Sequence, residues 1–315
     1  MAQDGNCIFE LNEGVERTHV SYGNRFGIEL SADLYLPQNR AEGDVLPAVL
    51  VGAPYGGVKE QGPGVYANEL ARRGFAALAF DASYNGYSGG NPRHISSPET
   101  FVEDFHAGVD YLGTRPFVDR ERIGVAGICG SGGFALSAMQ VDPRVKAAVT
   151  ASMYDMSRAT QEAFGTMTDE VRAAQLADIA EQRYIDFAAP YPTLTPRGRL
   201  EADYEADPVF SEFCEFYARE RGWHHNAIAQ FSITSSQAFM NFKLLDHLDW
   251  IAPRRILCVV GEHAHSRFFS EDVCDRAGES AELFVVPGAN HVDLYDKTDV
   301  IPFDAVEAFL RENLR

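Results

Sequence analysis

The sequence predicts an α/β protein in which helices flank a mostly parallel β-sheet. The first observation is a series of short, continuous apolar runs that alternate with helix-like segments. Such runs are typical of strands buried on both faces, and their alternation with helices favours parallel pairing through right-handed crossovers. The second observation is a long interruption at 152–247, which holds 14 of the 36 aromatic residues and four of the six methionines. We predict that this segment is an inserted helical cap on a core formed by 1–151 and 248–315.

The individual elements follow from local patterns. Residues 16–37 alternate apolar and polar side chains around a Tyr-Gly-Asn turn, which predicts a β-hairpin with one solvated face. Thr100 and Glu103 form a capping-box pattern before an amphipathic helix. The other predicted elements are buried strands at 46–52, 75–81, 122–128, 145–150, 255–261 and 281–287, and helices at 65–73 and from 304 onward.

Composition excludes several classes of partner. The chain has 315 residues, 45% hydrophobic and 23% charged, with a net charge of −19. This acidity argues against binding to nucleic acid or to an anionic membrane. The five cysteines are scattered without a C-x-x-C pair, which suits a reducing compartment. With no signal-peptide pattern at the start and no long apolar run, the sequence predicts a cytoplasmic protein without a membrane partner.

The clearest indication of a catalytic function comes from the segment 122–135. Its sequence is Arg-Ile-Gly-Val-Ala-Gly-Ile-Cys-Gly-Ser-Gly-Gly-Phe-Ala. A buried strand that turns into a helix through small-x-nucleophile-x-small is the nucleophile elbow of the α/β-hydrolase fold, with Cys129 in the nucleophile position. Small neighbours such as Gly127 and Gly130 leave room for the strained turn. The positive end of the following helix is expected to favour the thiolate.

Three alternatives remain open for this segment. Ser131 also fits the small-x-Ser-x-small frame, although counting from the strand start favours Cys129. The run 130–135 satisfies G-x-G-x-x-A, and Asp155 could then serve as the ribose-binding acid of a dinucleotide site. Finally, Cys129 could be a buried and inert residue in a Gly-rich turn.

A cysteine nucleophile needs a base, an orienting acid and an oxyanion hole. His291 follows the last predicted strand, where the chain order of this fold places the base. Glu262 is the carboxylate nearest to the end of the preceding strand and is our predicted acid, with Asp293 and Asp272 in reserve. The oxyanion hole is predicted to combine the N–H of Gly130 with one from the turn that follows strand 46–52.

That turn offers Tyr55 or Gly56 as the second N–H donor. The nearby Lys59-Glu60 pair and Asp81 could touch a substrate or pair with each other at the rim. The His263/His265 and His224/His225 pairs lack metal-ligand spacing, so the sequence predicts neither a metal nor a cofactor. Residues predicted to line the substrate pocket are Tyr84, Met153, Tyr154, Trp223 and Phe239.

The chain resembles a known family in four segments besides the elbow, namely 53–62, 80–93, 261–270 and 288–296. It is similar to the dienelactone-hydrolase-like α/β-hydrolases, in the subgroup that includes fungal polyketide transferases. The resemblance implies an α/β-hydrolase fold and a Cys–His–Asp type of triad. The sequence departs from that pattern where Ser131 replaces the first glycine after Cys-Gly and where no aspartate follows strand 255–261.

These observations predict a cysteine hydrolase that cleaves a carboxylic ester, lactone or thioester through an acyl-enzyme on Cys129. The expected substrate is a small molecule with an apolar or aromatic part, and the protein could form a homodimer. An acyltransferase that passes the acyl group to an alcohol or amine is the nearest alternative. An NAD(P)-dependent oxidoreductase and a catalytically silent binding protein are alternatives from other classes.

Overall fold

An eight-stranded, mostly parallel sheet underlies the site in the computed structural model, which describes residues 6–196 and 208–315. The strands lie in the order β1-β2-β4-β3-β5-β6-β7-β8. The first two strands form the predicted antiparallel hairpin, β2 and β4 are antiparallel, and the other neighbours are parallel. The strands are β1 Val15–Gly23, β2 Glu29–Pro37, β3 Leu46–Gly52, β4 Ala76–Phe80, β5 Val118–Ile128, β6 Val145–Ala151, β7 Arg255–Gly261 and β8 Ala281–Val286.

Helices connect and flank these strands. In the described parts of the chain they are α1 Gly62–Arg72, α2 Pro98–Gly113, α3 Gly130–Val141, α4 Met156–Glu162, α5 Asp169–Ala188, α6 Pro208–Tyr217, α7 Ser236–Met240, α8 Arg267–Ala277, α9 Asp293–Asp296 and α10 Phe303–Asn313. No helix among them has the length and apolar character needed to cross a membrane.

The predicted strands are found because continuous apolar runs are buried on both faces by these helices. The core of β3, β4, β5 and β6 is almost completely buried. Side chains that follow the carboxyl ends of parallel strands meet at one edge of a sheet, where α/β proteins bind their ligands. The turn at Tyr55 follows β3, Cys129 follows β5, and His291 follows β8.

Helix α2 begins earlier than the capping-box pattern predicts. Ser97 is the N-cap, its side chain accepts a hydrogen bond from the N–H of Thr100, and Pro98 occupies the first turn. Proline is favoured there because its missing N–H would be unpaired in any case. The prediction that the helix is capped at Thr100 is therefore wrong by three residues, because a serine before a proline is the better start signal.

The segment predicted as a cap supplies α4 to α7 between β6 and β7. Helix α5 has one buried residue, Ile179. Helix α6 reaches the loop of His291, where Glu212 Oε2 accepts a hydrogen bond from the N–H of Val292 at 3.0 Å. This segment therefore packs over the edge of the sheet that carries Cys129 and His291. Its exact boundaries stay a prediction.

Gly127 illustrates why the elbow needs small residues. A Cβ atom at this position would lie 2.2 Å from the backbone oxygen of Ser131. Neither backbone segment can move freely, because Gly127 lies in the central strand β5 and Ser131 in the first turn of α3. The close crossing of strand and helix thus requires glycine.

We predict that Gly127→Ala lowers the free energy of unfolding by about 1–3 kcal/mol or more, because overpacking a core usually costs this much. The urea midpoint of unfolding measures this. Gly113→Ala is the matched control, because a Cβ atom there meets Ile123 Cδ1 at an ordinary 3.7 Å. Equal midpoints for the two variants would contradict the argument.

Candidate active site

Cys129 occupies a strained elbow between β5 and α3. Its backbone has φ 54° and ψ −120°, a conformation that side-chain-bearing residues rarely adopt. The N–H of Cys129 donates to the carbonyl of Ala151 at 2.9 Å, and its own carbonyl accepts from Gly132 and Tyr154 at 2.9 Å each. These bonds hold the turn and project the sulfur beyond the edge of the sheet.

Ser131 points elsewhere. A Cβ atom built on Gly52 would lie 2.8 Å from Ser131 Oγ, so this hydroxyl faces β3 from within α3. Ser131 lines a small space beside Phe105 and Phe134, whereas Cys129 lines the large cavity described below. The geometry therefore favours Cys129 over Ser131 as the residue at the elbow.

Asp155, the candidate ribose-binding acid of the dinucleotide alternative, has a structural role. The side chain of Asp155 caps helix α4 by accepting a hydrogen bond from the N–H of Arg158 at 3.0 Å. The second glycine of the pattern, Gly132, serves packing, since a Cβ atom there would lie 2.5 Å from Met153 Cβ. Both residues thus have roles within the fold that need no nucleotide.

Two backbone N–H groups converge on the sulfur. The N–H groups of Tyr55 and Gly130 both face Cys129 Sγ and lower the pKa of its thiol. Both residues are among the predicted oxyanion-hole donors, a role that stays a prediction. Gly56 has φ +90° and faces Ala229, whose Cα would be 2.8 Å from an added Cβ. Its described role is therefore to let the turn pass close to the chain at Ala229.

A buried ionic cluster lies behind the Tyr55 turn. Asp81 Oδ1 accepts from the N–H of Lys59 at 2.7 Å, and Lys59 Nζ pairs with Glu60 and lies 3.7 Å from Asp33. Burial raises the pKa of Asp81 to about 7, and the nearby Glu60 carboxylate also raises it. Lys59, Glu60 and Asp81 are almost fully buried, so they anchor the turn instead of lying at an exposed rim.

His291 is fully buried, and both of its ring nitrogens have partners. Ser266 Oγ lies 2.7 Å from Nδ1, and Tyr295 Oη lies 3.0 Å from Nε2. The ring also packs against His265, with 4.6 Å between the ring centroids, and against Tyr154 at 5.2 Å. A serine hydroxyl thus occupies the place where a triad acid would orient the histidine.

The prediction of Glu262 as the orienting acid is therefore corrected. Glu262 is exposed, and its Oε2 accepts a hydrogen bond from the N–H of Gly288 at 2.8 Å. The reserve residues also have other partners. Asp293 pairs with Lys297 at 2.6 Å, and Asp272 pairs with Arg276 at 3.2 Å. Ser266 was not predicted from the sequence, because the orienting residue in the loop after β7 was expected to carry a carboxylate.

Burial keeps the sulfur and the imidazole neutral in the resting protein. It raises the pKa of the Cys129 thiol, an effect opposed by the nearby Tyr295 hydroxyl and by the N–H groups of Tyr55 and Gly130. It also lowers the pKa of His291 well below its usual value, and His265 lowers it further. The expectation that the α3 N-terminus favours a resting thiolate is therefore wrong, because desolvation outweighs the N–H donors.

Cys129 opens into a cavity of about 600 Å³. The described residues that line it are mostly aromatic or apolar, and none of them carries a charged side chain: Tyr55, Cys129, Met156, Thr195, Pro196, Phe210, Phe213, Tyr217, Ala229 and Tyr295. The cavity is of a size that accommodates a small organic molecule.

The residues predicted to line this pocket lie around it or away from it. Tyr154 and Phe239 form a second layer, with Tyr154 against His291 and Phe239 with its ring centroid 6.0 Å from that of Tyr55. Met153 is fully buried against Gly132, and Tyr84 packs under Gly90. Trp223 is 49% exposed. The prediction is corrected for all five, because an aromatic-rich sequence does not indicate which rings face the cavity.

The two histidine pairs have separate environments. His224 and His225 stack on each other with 4.4 Å between centroids, and His225 Nε2 lies 3.0 Å from Tyr87 Oη. His265 packs against His291. Within residues 6–196 and 208–315, no group of three or more His, Cys, Asp or Glu side chains is placed to hold a metal ion.

We predict that Ser266→Asp raises the pKa of His291, by roughly 1–3 units, because a carboxylate beside Nδ1 favours the imidazolium. The wild-type pKa should lie below 6.5, since burial disfavours the charged ring. An NMR titration of the His291 ring measures both values. Glu262→Gln is the control and should leave the His291 pKa unchanged; a fall in this variant would restore Glu262 as the orienting acid.

Comparison with known proteins identifies the family. Residues 27–231 match the family described as X-Pro dipeptidyl-peptidase (S15 family). The chain is 46% identical over 318 residues to the uncharacterized protein PA2218 of Pseudomonas aeruginosa, covering 100% of this chain and 85% of that protein. The crystal structure of PA2218 superposes with a TM-score of 0.96, at 45% identity and with 99% and 98% of the two chains covered.

Two further relatives carry functional names. The thiohydrolase aneE of Aspergillus aculeatus is 30% identical over 192 residues, which cover 59% of this chain and 56% of that protein. The α/β-hydrolase GrgF from Penicillium sp. sh18 superposes with a TM-score of 0.79 at 19% identity, covering 95% and 99% of the two chains, and this likeness concerns the fold. The mostly parallel sheet, the strained elbow and the family match agree: the chain has the α/β-hydrolase fold and belongs to the S15 family.

Proposed function

We propose that the protein is a cysteine hydrolase that cleaves a carboxylic ester, lactone or thioester through an acyl-enzyme on Cys129. The observation that carries this proposal is the convergence of the Tyr55 and Gly130 N–H groups on the sulfur at the floor of the aromatic cavity. The resemblance to dienelactone-hydrolase-like enzymes supports the same cysteine chemistry.

In the proposed acylation step, Cys129 loses its proton to His291 as the sulfur attacks the substrate carbonyl carbon. The carbonyl oxygen becomes an oxyanion and accepts hydrogen bonds from Tyr55 and Gly130. Collapse of the tetrahedral intermediate expels the leaving group, which takes up the proton from His291. In deacylation, His291 removes a proton from water and the resulting hydroxide attacks the acyl carbon. The C–S bond then breaks, the carboxylic acid is released, and His291 returns the proton to the sulfur.

Two observations support a thioester as the leading substrate type within this class. Transfer of an acyl group from a thioester to a cysteine breaks one C–S bond and forms another, so it is nearly neutral in free energy. The relative aneE is named a thiohydrolase. The described part of the cavity lining is largely aromatic and carries no charged side chain, which suits a neutral, apolar or aromatic acyl group.

The family description offers peptide hydrolysis as a second candidate. An X-Pro dipeptidyl-peptidase must hold a peptide with a free, positively charged amino terminus. The described cavity lining contains no carboxylate to pair with that charge. We therefore place ester and thioester cleavage ahead of peptide cleavage, and an X-Pro anilide is a direct competing substrate.

We predict that brief exposure to p-nitrophenyl acetate produces an acetyl adduct on Cys129, seen by intact-protein mass spectrometry and peptide mapping. Cys129→Ala should abolish the adduct, and His291→Ala should slow its formation by about a hundredfold or more, a typical general-base effect. Ser131→Ala is the control and should acylate like wild type.

Other outcomes separate the alternatives. An adduct on Ser131 would contradict the assigned nucleophile. An adduct that decays only after an alcohol or amine is added would identify an acyltransferase. If no adduct forms and the X-Pro anilide is cleaved instead, the peptidase candidate replaces ours. Stabilisation by NAD(P) without any adduct would favour the oxidoreductase.

We also predict that Phe210→Ala raises KM for a long-chain or aryl thioester by about tenfold, equivalent to about 1.4 kcal/mol of lost contact. Phe210 lines the cavity. KM for an acetyl thioester should change little, because a two-carbon acyl group has little apolar surface to bury against this ring. Phe284→Ala, at an exposed position on β8, is the control. Equal KM changes for the two acyl groups would contradict the assigned cavity.

A further inference from the structure

We propose that the hydroxyl group of Tyr295 carries the proton between Cys129 and His291, which makes Tyr295 a catalytic residue. This inference rests on the proposed function and adds a step to it. In a conventional serine triad the histidine Nε2 bonds the nucleophile directly. Here the described partner of Nε2 is Tyr295 Oη, at 3.0 Å, and Tyr295 lines the cavity beside Cys129, whose thiol it contacts.

The position of Tyr295 is rigid. It is fully buried in the short helix α9, four residues after His291. Its ring packs edge-on against Phe216, with 5.2 Å between centroids, and against His291 at 5.5 Å. Tyr295 also lines the cavity, so its hydroxyl is beside the place where a substrate carbonyl would meet the sulfur.

The hydrogen-bonding capacity of these groups fits a relay. A neutral imidazole has one N–H and one acceptor nitrogen. If Nδ1 donates to Ser266 Oγ, Nε2 is left to accept from Tyr295. The Tyr295 oxygen can then accept the thiol proton of Cys129. Each neighbouring pair in the chain Cys129–Tyr295–His291–Ser266 then consists of one donor and one acceptor.

The transfer balances without a charged tyrosine. As the sulfur attacks, the Cys129 proton moves to Tyr295 Oη while the Tyr295 proton moves to His291 Nε2. The products are the C–S bond, a neutral tyrosine and an imidazolium, and no other reactant is needed. Burial raises the pKa of Tyr295 well above its usual value. A tyrosinate is therefore not populated, and both protons must move together.

The competing explanation is that Tyr295 only donates a hydrogen bond to the sulfur, and that His291 acts by another route. A double-mutant cycle separates these possibilities, because residues that act as one unit have non-additive effects. The measured quantity is the first-turnover acylation rate with p-nitrophenyl acetate for wild type, Tyr295→Phe, His291→Ala and the double variant.

We predict that Tyr295→Phe and His291→Ala each slow acylation by about a hundredfold, and that the double variant is slowed by about the same factor. Tyr66→Phe is the matched control and should stay within about twofold of wild type. It removes another buried tyrosine hydroxyl, which donates to the carbonyl of Leu294 at 2.8 Å outside the cavity. Urea midpoints check that each variant is folded.

Three results would overturn the relay. If the two residues acted independently, their effects would multiply, and acylation by the double variant would be slowed by roughly ten-thousandfold. A Tyr295→Phe rate equal to wild type, with His291→Ala slow, would show that the proton reaches His291 without the tyrosine. If His291→Ala also acylates like wild type, the proposed base itself fails, which is a separate failure of the proposed function.

Discussion

The strained backbone at Cys129 is the constraint on which the rest of the site depends. A left-handed conformation at a non-glycine residue costs of order 1–3 kcal/mol and persists only where its surroundings hold it. Here the hydrogen bonds to Ala151, Gly132 and Tyr154 hold the turn. The close crossing at Gly127 leaves no room for a side chain. The strain places the sulfur against the N–H groups of Tyr55 and Gly130.

The second feature of the site is that none of the described residues lining its cavity carries a charged side chain. The sulfur, the imidazole of His291 and the hydroxyls of Ser266 and Tyr295 are all buried, and burial favours their neutral forms. Charge separation must then accompany the attack on substrate. The donors to the oxyanion are backbone dipoles, which need no rearrangement as charge develops. The nearby formal charges of the Lys59 cluster lie behind the Tyr55 turn, where they anchor the loop.

The two hydrogen-bond partners of His291, Ser266 and Tyr295, were not predicted from the sequence. A carboxylate was expected after β7, and Glu262 was the nearest one in sequence. The loop turns Glu262 outward to the N–H of Gly288 and brings Ser266 inward to His291. Tyr295 lies four residues after His291, but His291 itself precedes α9, which begins at Asp293. Helical spacing therefore did not indicate that the two side chains would meet.

Local patterns in the sequence determined the strand order in the chain, the elbow at Cys129 and the loop position of His291. Each depends on properties readable within about 15 residues: continuous apolar runs, small residues around a nucleophile, and placement after a strand. Tertiary structure alone decided which groups satisfy His291, which rings line the cavity and whether the thiol rests protonated. These outcomes depend on packing between distant segments and on desolvation, and neither can be read from residue type or spacing.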